Sequence, residues 1–521
     1  MSNQNTRREF LISTGKHAVY LSTLSLLNEL NCSQSKNRGS NHPNVLLIMC
    51  DQLNASVLGC YGGPVPTPHI DQLAKEGALF TQATCPFPVC SPSRASMITG
   101  LYPHTHGICH NVDKDCEGIH PDDITTEKIL FEGGYDTFHS GKWHLHDEEL
   151  PYYHHYYRDQ YNLEIQSVLE EAKKRPPEKK MQFYDMTLPV ETTPELKKVV
   201  SKLGDRWKNE IYADFIMKMG RLEMKPEQTF DVRYADETIK HMQSVTSNSF
   251  MLTCSFIWPH DPNVVPSPYY EMFSPDKVQI PENLNFREQR FEKDWSRKAV
   301  DGVGEPGLRE FLRIYYATVR LVDDQVGRIL SALEATGKSS NTIIIFTADH
   351  GDMAGGHGMI WKSTSGFYDE IVRIPLIIRF PGQIQPQKTD SAAGLTDIMP
   401  TILELSGFTI PEKVQGHSLA PYLKGERNHS EAPVYSFCER IPRNPNFTRG
   451  VIPGTQGNFM IRGAGWKYIR YANGEEYMYN LRTDPGETKN IVNEPSVQNQ
   501  KNEMRKELDN WLKNTGYPVH S

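Results

Sequence analysis

Four features that would assign this 521-residue chain to a well-known class are missing from its sequence. Basic residues are not in excess, since 56 lysines and arginines face 64 acidic residues, and the net charge of −8 argues against nucleic acid as the main partner. No apolar run is long enough to cross a bilayer, so we expect no transmembrane segment. The nine cysteines are odd in number and irregularly spaced, which excludes a disulfide framework. No repeat of solenoid period is present. The remaining composition, 38% hydrophobic and 23% charged, is typical of a globular protein with a sizeable core.

The first 40 residues are predicted to be an export signal and linker. Arg7 and Arg8 precede a mildly apolar run from His17 to Leu27, which resembles a twin-arginine export signal and indicates a periplasmic location. A tail with a chance arginine pair is the alternative. Lipid attachment at Cys32 is a weaker hypothesis, because the residues before it match a lipid-attachment box poorly.

The chemically most informative stretch runs from Pro88 to Ser96. Cys90 stands two residues before Pro92 and four before Arg94. Because proline favours the first helical turn, we expect Cys90 at or just before a helix N-terminus, with Arg94 one turn further on the same face. A helix N-terminus and a guanidinium both favour an anion. A buried structural cysteine is the alternative interpretation.

Polar residues of unusual type follow four strand-like runs. The runs are residues 44–49, 135–139, 249–257 and 341–347. Ligands of open α/β sheets bind beyond the carboxyl ends of the strands, so these residues are expected to converge with the Cys90 stretch. They are, in chain order, Asp51, Gln52, Lys142, His144, His260, Asp349 and His350.

The sequence Cys90-Ser-Pro-Ser-Arg94, followed by Ala95 to Pro103, resembles the active-site motif of the type I sulfatases in the alkaline-phosphatase-like superfamily. The resemblance covers about residues 42–425 and continues into residues 465–470 and 479–490. It implies an α/β fold, an alkaline-phosphatase-like sandwich with a central, mostly parallel sheet flanked by helices. A smaller C-terminal antiparallel sheet with a terminal helix completes the predicted fold.

Three parts of the chain are predicted from these observations. Residues 1–40 form the signal and linker, residues 41–429 the catalytic domain, and residues 430–521 the C-terminal subdomain. Residues 147–230 lack a clear strand–helix alternation, so we interpret them as an insertion in the catalytic domain.

The resemblance also implies the chemistry. In that family the motif cysteine is oxidised to Cα-formylglycine by a maturation enzyme, and the hydrated aldehyde is the nucleophile. One divalent cation, expected to be Ca²⁺, is implied as cofactor. Its implied ligands are Asp51, Gln52, Cys90, Asp349 and His350. Gln52 replaces an aspartate that many members carry, and His350 stands where others have asparagine, so His350 contacts either the metal or the sulfate.

The implied catalytic residues are Cys90, Arg94, Lys142, His144, His260 and Lys362. Arg94 is expected to hold the nucleophile and balance the metal carboxylates. Lys142, His260 and Lys362 are expected to bind sulfate oxygens, with His260 or Lys362 protonating the leaving alcohol. His144 is the candidate base, because imidazole titrates near neutral pH.

The predicted function is hydrolysis of sulfate esters by an exported enzyme, with an extracellular sulfated carbohydrate as the expected substrate. The run Tyr152 to Tyr157 either stacks on sugar rings or anchors a surface segment. A phosphodiester or phosphonate monoester hydrolase that uses the same aldehyde is the nearest alternative. A non-catalytic glycan-binding protein, in which Cys90 is never oxidised, is the second.

Overall fold

The apolar run that begins at Asn44 forms a strand with no exposed residue, Asn44–Asp51, in the computed structural model of the chain. Such a strand is covered on both faces, which explains why its apolar residues are continuous and do not alternate with polar ones. The structure describes residues 42–145, 150, 152, 154–156, 162–183, 186–204, 218–247, 249–362, 366–427, 433–442, 448–451 and 454–518.

The strands of the described residues fall into one large sheet and three small ones. In chain order they are β1 (Asn44–Asp51), β2 (Ala78–Phe80), β3 (Asp136–Gly141), β4 (His154–Tyr156), β5 (Met181–Phe183), β6 (Met186–Leu188), β7 (Val190–Glu191), β8 (Met219–Leu222), β9 (Phe250–Pro259), β10 (Asn263–Pro266), β11 (Thr342–Ala348), β12 (Leu376–Arg379), β13 (Gln387–Thr389), β14 (Tyr435–Arg440), β15 (Asn458–Gly463), β16 (Trp466–Arg470) and β17 (Glu476–Asn480).

The large sheet has eight strands in the order β13-β2-β12-β11-β1-β9-β3-β4. Its centre is parallel, since β1 pairs in parallel with β11 and β9, and β3 pairs in parallel with β9 and β4. Strand β12 runs antiparallel to both β11 and β2. The carboxyl ends of β11, β1, β9 and β3 therefore meet at one edge of the sheet.

The described residues also form α-helices between and after these strands. They are α1 (Pro68–Glu76), α2 (Cys90–Thr99), α3 (Pro103–His106), α4 (Thr126–Glu132), α5 (Gln166–Lys173), α6 (Pro194–Leu203), α7 (Phe230–Ser244), α8 (Trp295–Ala335), α9 (Asp369–Val372), α10 (Ile398–Leu405), α11 (Ala420–Leu423) and α12 (Gln498–Asn514).

The longest helix, α8, begins earlier than its sequence periodicity predicts. The apolar spacing indicates a helix from Glu310 to Glu334, but the helix starts at Trp295, where the Asp294 side chain accepts from the Ser296 backbone. Gly304, with φ 65° and ψ −174°, is not helical, so α8 consists of two helical segments that meet at a kink. The predicted helix lies in the segment after Gly304, and the glycines and the proline of residues 302–307 conceal the start of that segment and the shorter segment before it.

The C-terminal part contains the predicted antiparallel sheet, in the order β14-β15-β16-β17, followed by α12. The predicted fold class is confirmed. By internal contacts, residues 43–521 form one compact unit. The division between residues 429 and 430 stays a prediction.

Much of the predicted insertion at 147–230 is described. Strand β4 extends the large sheet, β5 pairs with β6, and β7 and β8 join β10 in a three-stranded sheet. The export signal and Cys32 lie outside the described residues, as do parts of the Tyr152–Tyr157 run. None of the helices in the described ranges is both long enough and apolar enough for a membrane span.

Candidate active site

Helix α2 carries the Cys90 motif and is buried along its whole length. Cys90 is its first residue, Val89 is the N-cap, and Gly100 ends the helix in a left-handed conformation with φ 65°. The predicted position of Cys90 at a helix N-terminus is therefore confirmed. The first free N–H groups of the helix lie at the same end as the Cys90 side chain, which favours an anion there.

Each strand-end residue lies where its strand stops. Asp51 is the last residue of β1, Asp349 follows β11, and His260 follows β9. Lys142 follows β3 directly. Because these four strands are neighbours in the sheet, residues from four distant segments of the chain meet at one edge.

The Cys90 sulfur lies at the meeting point of these side chains. Its Sγ atom is 3.1 Å from the Lys362 Nζ, 3.3 Å from the His350 Nε2, 3.4 Å from the Lys142 Nζ and 3.7 Å from the Asp51 Oδ1. Cys90, Asp51 and His350 have no solvent exposure. The sequence-predicted residues around Cys90 are thus brought together in the folded chain.

The field at this position favours negative charge. Burial alone would raise the pKa of the Cys90 thiol, but the cations of Lys142, Lys362 and His350 lower that pKa well below its usual range. A group at residue 90 that carries or develops negative charge is therefore stabilised by its surroundings.

Arg94 contacts the carboxylates that lie next to Cys90. Its Nε donates to the Asp349 Oδ2 at 2.8 Å, and its Nη2 donates to the Asp51 Oδ2 at 3.1 Å. Its Nη1 donates to the Lys142 carbonyl oxygen at 2.6 Å and to the Ser255 Oγ at 2.9 Å. The guanidinium is only 2% exposed, so it offsets two buried negative charges that would otherwise destabilise the fold.

Four buried side chains offer ligand atoms for a metal ion. The groups of Asp51, Cys90, Asp349 and His350 provide one atom each, and these atoms lie within 4.8 Å of one another. The His350 Nδ1 is 2.9 Å from the Gly351 carbonyl oxygen, which can only accept, so Nδ1 carries the proton in the neutral ring. Burial acts to lower the pKa of His350, but the nearby Asp349 and Cys90 raise it to about 9, so the ring is a cation here and would present its Nε2 lone pair to a metal ion only after losing that proton. Two carboxylates and an imidazole nitrogen fit a divalent cation.

Gln52 adjoins this group through both its main chain and its side chain. Its backbone N–H donates to the Asp349 Oδ1 at 3.0 Å, and its side-chain Nε2 donates to the Asp352 Oδ2 at 2.7 Å. The side-chain oxygen Oε1 is therefore the atom that remains to bind a cation.

His260 and Lys362 form a pair beside the sulfur. The Lys362 Nζ is 3.1 Å from the His260 Nε2, and the His260 Nδ1 donates to the Asp261 carbonyl oxygen at 2.8 Å. Since Nδ1 donates, the Nε2 lone pair of the neutral ring accepts from the Lys362 ammonium. The pair can hold an anion and supply a proton close to it.

His144 reaches Cys90 from a strained backbone position. Its φ of 58° is left-handed, and the Ser91 Oγ donates to its carbonyl oxygen at 2.6 Å. The imidazole is within hydrogen-bonding reach of the Cys90 side chain, and burial lowers its pKa. The lowered pKa favours the neutral ring, which can accept a proton.

Several residues of the site were not predicted from the sequence. The Ser93 Oγ donates to the Asp349 carbonyl oxygen at 2.6 Å, Ser91 holds His144, and Ser255 and Asp352 contact Arg94 and Gln52. The available signals were the two serines inside the Cys90 motif and the polar Ser255 within an apolar run. Asp352 carried no distinguishing signal beyond its nearness to Asp349.

A family model supports the same interpretation over most of the chain. The sulfatase family model matches residues 43–408. A second model, described as N-sulphoglucosamine sulphohydrolase, C-terminal, matches residues 355–514.

Two curated relatives match nearly the whole chain. An ulvan-active sulfatase of Formosa agariphila is 27% identical over 481 residues, which are 91% of this chain and 82% of the relative. An N-acetylglucosamine-6-O-sulfatase of Bacteroides thetaiotaomicron is 27% identical over 536 residues, covering 95% of this chain and 91% of the relative.

Among solved structures, the phosphonate monoester hydrolase of Agrobacterium radiobacter shares the fold, with a TM-score of 0.71 and 23% identity. The match covers 91% of this chain and 96% of that one. This likeness shows the fold, and the sulfatase model, which matches more than half of the chain, shows the family. The chain belongs to the type I sulfatase family of the alkaline-phosphatase-like superfamily, whose members are hydrolases acting on sulfate esters.

Proposed function

We propose that this enzyme hydrolyses a sulfate ester of a carbohydrate with residue 90, matured from cysteine to formylglycine, as its nucleophile. The observation that carries the proposal is the position of the Cys90 Sγ between the Lys142 and Lys362 ammonium groups, at 3.4 and 3.1 Å. A sulfate bound next to this atom would have its oxygens within reach of both cations. Cations that are fixed before the reaction stabilise the charge that develops in the transition state.

Residue 90 would supply the covalent chemistry. Oxidised by a formylglycine-generating maturation enzyme and hydrated, it presents two hydroxyl groups on one carbon. One attacks sulfur and displaces the alcohol, and deprotonation of the second lets the aldehyde re-form and release inorganic sulfate. A cysteine or serine lacks the second hydroxyl and could not turn over in this way.

The chain's own residues would hold the cation. Asp51, Gln52, Asp349 and His350 offer oxygen and nitrogen ligands, with the group at residue 90 completing the set. Ca²⁺ is the cation we propose, because most of these ligands are oxygens. When bound, the cation would supply positive charge that polarises a sulfate oxygen and lowers the pKa of the attacking hydroxyl.

In this scheme Arg94 acts mainly on the two carboxylates that it contacts. Its hydrogen bonds to Asp51 and Asp349 bring a positive charge to both carboxylates and hold them close together. We therefore assign it the balancing of negative charge as its main task, and the holding of the nucleophile as a secondary one.

Proton transfer would be divided between two sides of residue 90. His144, buried and with a lowered pKa, is our candidate for the base that accepts the proton of the second hydroxyl. His260 and Lys362 share a 3.1 Å contact on the other side, and either can protonate the leaving alcohol: Lys362 directly from its ammonium group, or His260 after its Nε2 has taken that proton.

A sulfated carbohydrate is the substrate class that we favour. One relative is named an ulvan-active sulfatase and the other an N-acetylglucosamine-6-O-sulfatase, which supports a saccharide as the leaving group. The twin-arginine pattern near the N-terminus supports export, since such polymers lie outside the cell.

The proposal is tested by two measurements on protein from its native host. Peptide mass analysis of the residue 90 segment should find formylglycine, and a panel of defined sulfated saccharides should release inorganic sulfate. The Cys90→Ala variant should release none. An intact thiol in fully active protein, or equal turnover by Cys90→Ala, would overturn the mechanism.

Paired aryl substrates separate the competing activities. An aryl sulfate should be hydrolysed with a higher kcat/KM than the matching aryl phosphodiester or phosphonate monoester. The reverse order would make the chain a phosphoester or phosphonate hydrolase. Glycan binding without turnover, with an unmodified Cys90, would make it a binding protein.

A further inference from the structure

Asp352 is a buried carboxylate that was not predicted as a site residue. It connects two residues that were predicted, Gln52 and Lys362. The Asp352 Oδ2 accepts from the Gln52 Nε2 at 2.7 Å. Its Oδ1 accepts from the backbone N–H of Ala354 at 2.7 Å and from that of Trp361 at 2.9 Å. Asp352 has no solvent exposure and Gln52 has 1%, so water does not compete for these hydrogen bonds.

The first contact decides which atom of Gln52 a cation meets. A glutamine amide has one accepting oxygen and one donating nitrogen, and its two orientations have almost the same shape. The main chain of Gln52 is already fixed, because its N–H donates to the Asp349 Oδ1 at 3.0 Å and its carbonyl accepts from the Tyr315 hydroxyl at 2.8 Å. The orientation of the amide is then set by Asp352, which accepts from the nitrogen and leaves the oxygen for the cation.

The second contact fixes the loop that ends at Lys362. The Met353 N–H donates to the Trp361 carbonyl oxygen at 2.9 Å, and the Trp361 backbone N–H donates in turn to Asp352, so the loop between them is closed at its base. Trp361 has a left-handed φ of 57°, a conformation that needs tertiary support in a residue with a side chain. Lys362 follows immediately, and its Nζ is 3.1 Å from the Cys90 Sγ.

We infer that Asp352 is a positioning residue: one oxygen turns the Gln52 amide so that its carbonyl faces the cation, and the other holds the base of the Lys362 loop. The inference rests on the proposed metal site. It also explains how this chain can have a neutral glutamine at position 52, where many family members have aspartate. The negative charge is at Asp352, which contacts Gln52 and is one residue further from the cation.

The Asp352→Asn variant tests the first part with a nearly isosteric change. The asparagine oxygen can still accept from Ala354 and Trp361, so the loop keeps both hydrogen bonds. Its nitrogen then faces the Gln52 nitrogen, and two donors cannot hydrogen-bond. The Gln52 amide must turn over and present its nitrogen to the cation. We expect about 10–100-fold weaker Ca²⁺ affinity, measured by isothermal titration of chelator-treated full-length protein with CaCl₂.

The exchanged pair Gln52→Glu/Asp352→Asn supplies the rescue. The asparagine nitrogen can donate to one glutamate oxygen, the other oxygen faces the cation, and the net charge of the pair is unchanged. We expect the Ca²⁺ affinity of the exchanged pair to lie within about threefold of the wild type. This recovery is a coupling between positions 52 and 352 in the double-mutant cycle, which a merely structural role of Asp352 would not produce. Asp397→Asn is the matched control, since this buried aspartate also accepts from two backbone N–H groups, those of Gly394 and His417, both at 2.8 Å.

Each result bears on the inference. Wild-type affinity in Asp352→Asn, or the same loss in the exchanged pair as in the single variant, would overturn the positioning role and leave the metal site intact. Absence of Ca²⁺ binding by the wild type would overturn both. If Asp352→Asn does not fold, a folded exchanged pair that binds Ca²⁺ supports the inference, and an unfolded or non-binding pair overturns it.

Discussion

The Lys362 Nζ lies 3.1 Å from the Cys90 Sγ, although 272 positions separate the two residues in the chain. Lys362 is held on one side by the closed loop that ends at Trp361 and on the other by His260, whose Nε2 is also 3.1 Å away. An ammonium group held in this way needs no rearrangement to meet the charge of a bound sulfate.

Removal of this charge should impair catalysis far more than stability. Lys362→Met keeps most of the side-chain volume and removes the ammonium group. We expect kcat/KM for an aryl sulfate to fall by about 10²–10³-fold, the usual loss when one such fixed group is deleted. Lys489→Met is the control, because that side chain is 71% exposed, and it should retain full activity. A loss below threefold in Lys362→Met would contradict the role proposed for it.

His144 should govern the second half of the reaction. If it accepts the proton of the second hydroxyl, His144→Ala leaves the first displacement possible and slows the release of sulfate. Rapid mixing with an aryl sulfate should then give a burst of about one phenol per active site, followed by slow turnover. The exposed His120, at 44% side-chain exposure, provides the control substitution His120→Ala. Loss of the burst together with the steady state would instead assign His144 to the first displacement.

Arg94 and Ca²⁺ should stabilise the folded chain through the same two carboxylates, so each should reduce the loss of unfolding free energy caused by removing the other. Arg94→Gln removes the guanidinium from Asp51 and Asp349, although Lys142 still pairs with Asp51, and loss of one member of a buried ion pair typically costs about 3–5 kcal/mol. Because Ca²⁺ would offset the same two carboxylates, the loss measured by thermal unfolding should be larger in chelator than in excess Ca²⁺. The wild type should itself gain about 2.7 kcal/mol at a Ca²⁺ concentration of 100 Kd. Equal destabilisation of Arg94→Gln with and without Ca²⁺ would contradict a shared task.

A second buried ion network should contribute a pH-dependent part of the stability. The Asp369 carboxylate accepts from the Arg462 Nε at 3.0 Å and Nη2 at 2.7 Å, and the Lys467 Nζ is 2.6 Å from it. Burial acts to raise the pKa of Asp369, but Arg462 and Lys467 outweigh it and hold that pKa well below the usual range. Because the folded-state pKa is the lower one, the contribution is complete above the unfolded-state value, near pH 4, and is lost as the pH falls through the folded-state value.

Asp369→Asn removes this contribution. We expect the variant to be less stable than the wild type by about 3 kcal/mol at neutral pH, with the difference decreasing below about pH 4. Unfolding in urea at a series of pH values measures it. The exposed pair of Asp509 and Arg470 is the control, since Asp509→Asn should cost less than about 1 kcal/mol at any pH. A difference between Asp369→Asn and wild type that grows in acid would contradict the assigned pKa direction.

Much of the fold could be predicted because its strands and helices follow from local sequence patterns. The continuous apolar runs predict buried parallel strands, and helix α6, Pro194–Leu203, starts at a proline and is followed by a glycine, which are local signals of a helix start and end. The start of α8 could not be predicted in the same way. The glycines and the proline of residues 302–307 have poor helix propensity, and the kink at Gly304 separates the predicted helix from the segment that begins at Trp295.

Two side chains show the same limit within the site. The sequence interval between Cys90 and Arg94 indicates that they share a helix face, but the guanidinium hydrogen-bonds to Asp51 and Asp349, which other strands deliver. The sequence departure at Gln52 is visible, whereas its partner Asp352 lies 300 positions away and becomes recognisable only from the 2.7 Å contact.

The sequence by itself determined which chemical groups the protein has at its disposal, since the Cys90 motif and the polar residues after four strand-like runs are local patterns. The tertiary structure decided which of these groups touch: the 3.1 Å approach of Lys362 to Cys90, the attachment of Arg94 to two carboxylates and the orientation of Gln52 by Asp352. The reason is physical. Residue types and helix or strand periodicity depend on near neighbours in the chain, whereas hydrogen-bond partners separated by some 250–300 positions depend on how the strands order themselves in the sheet.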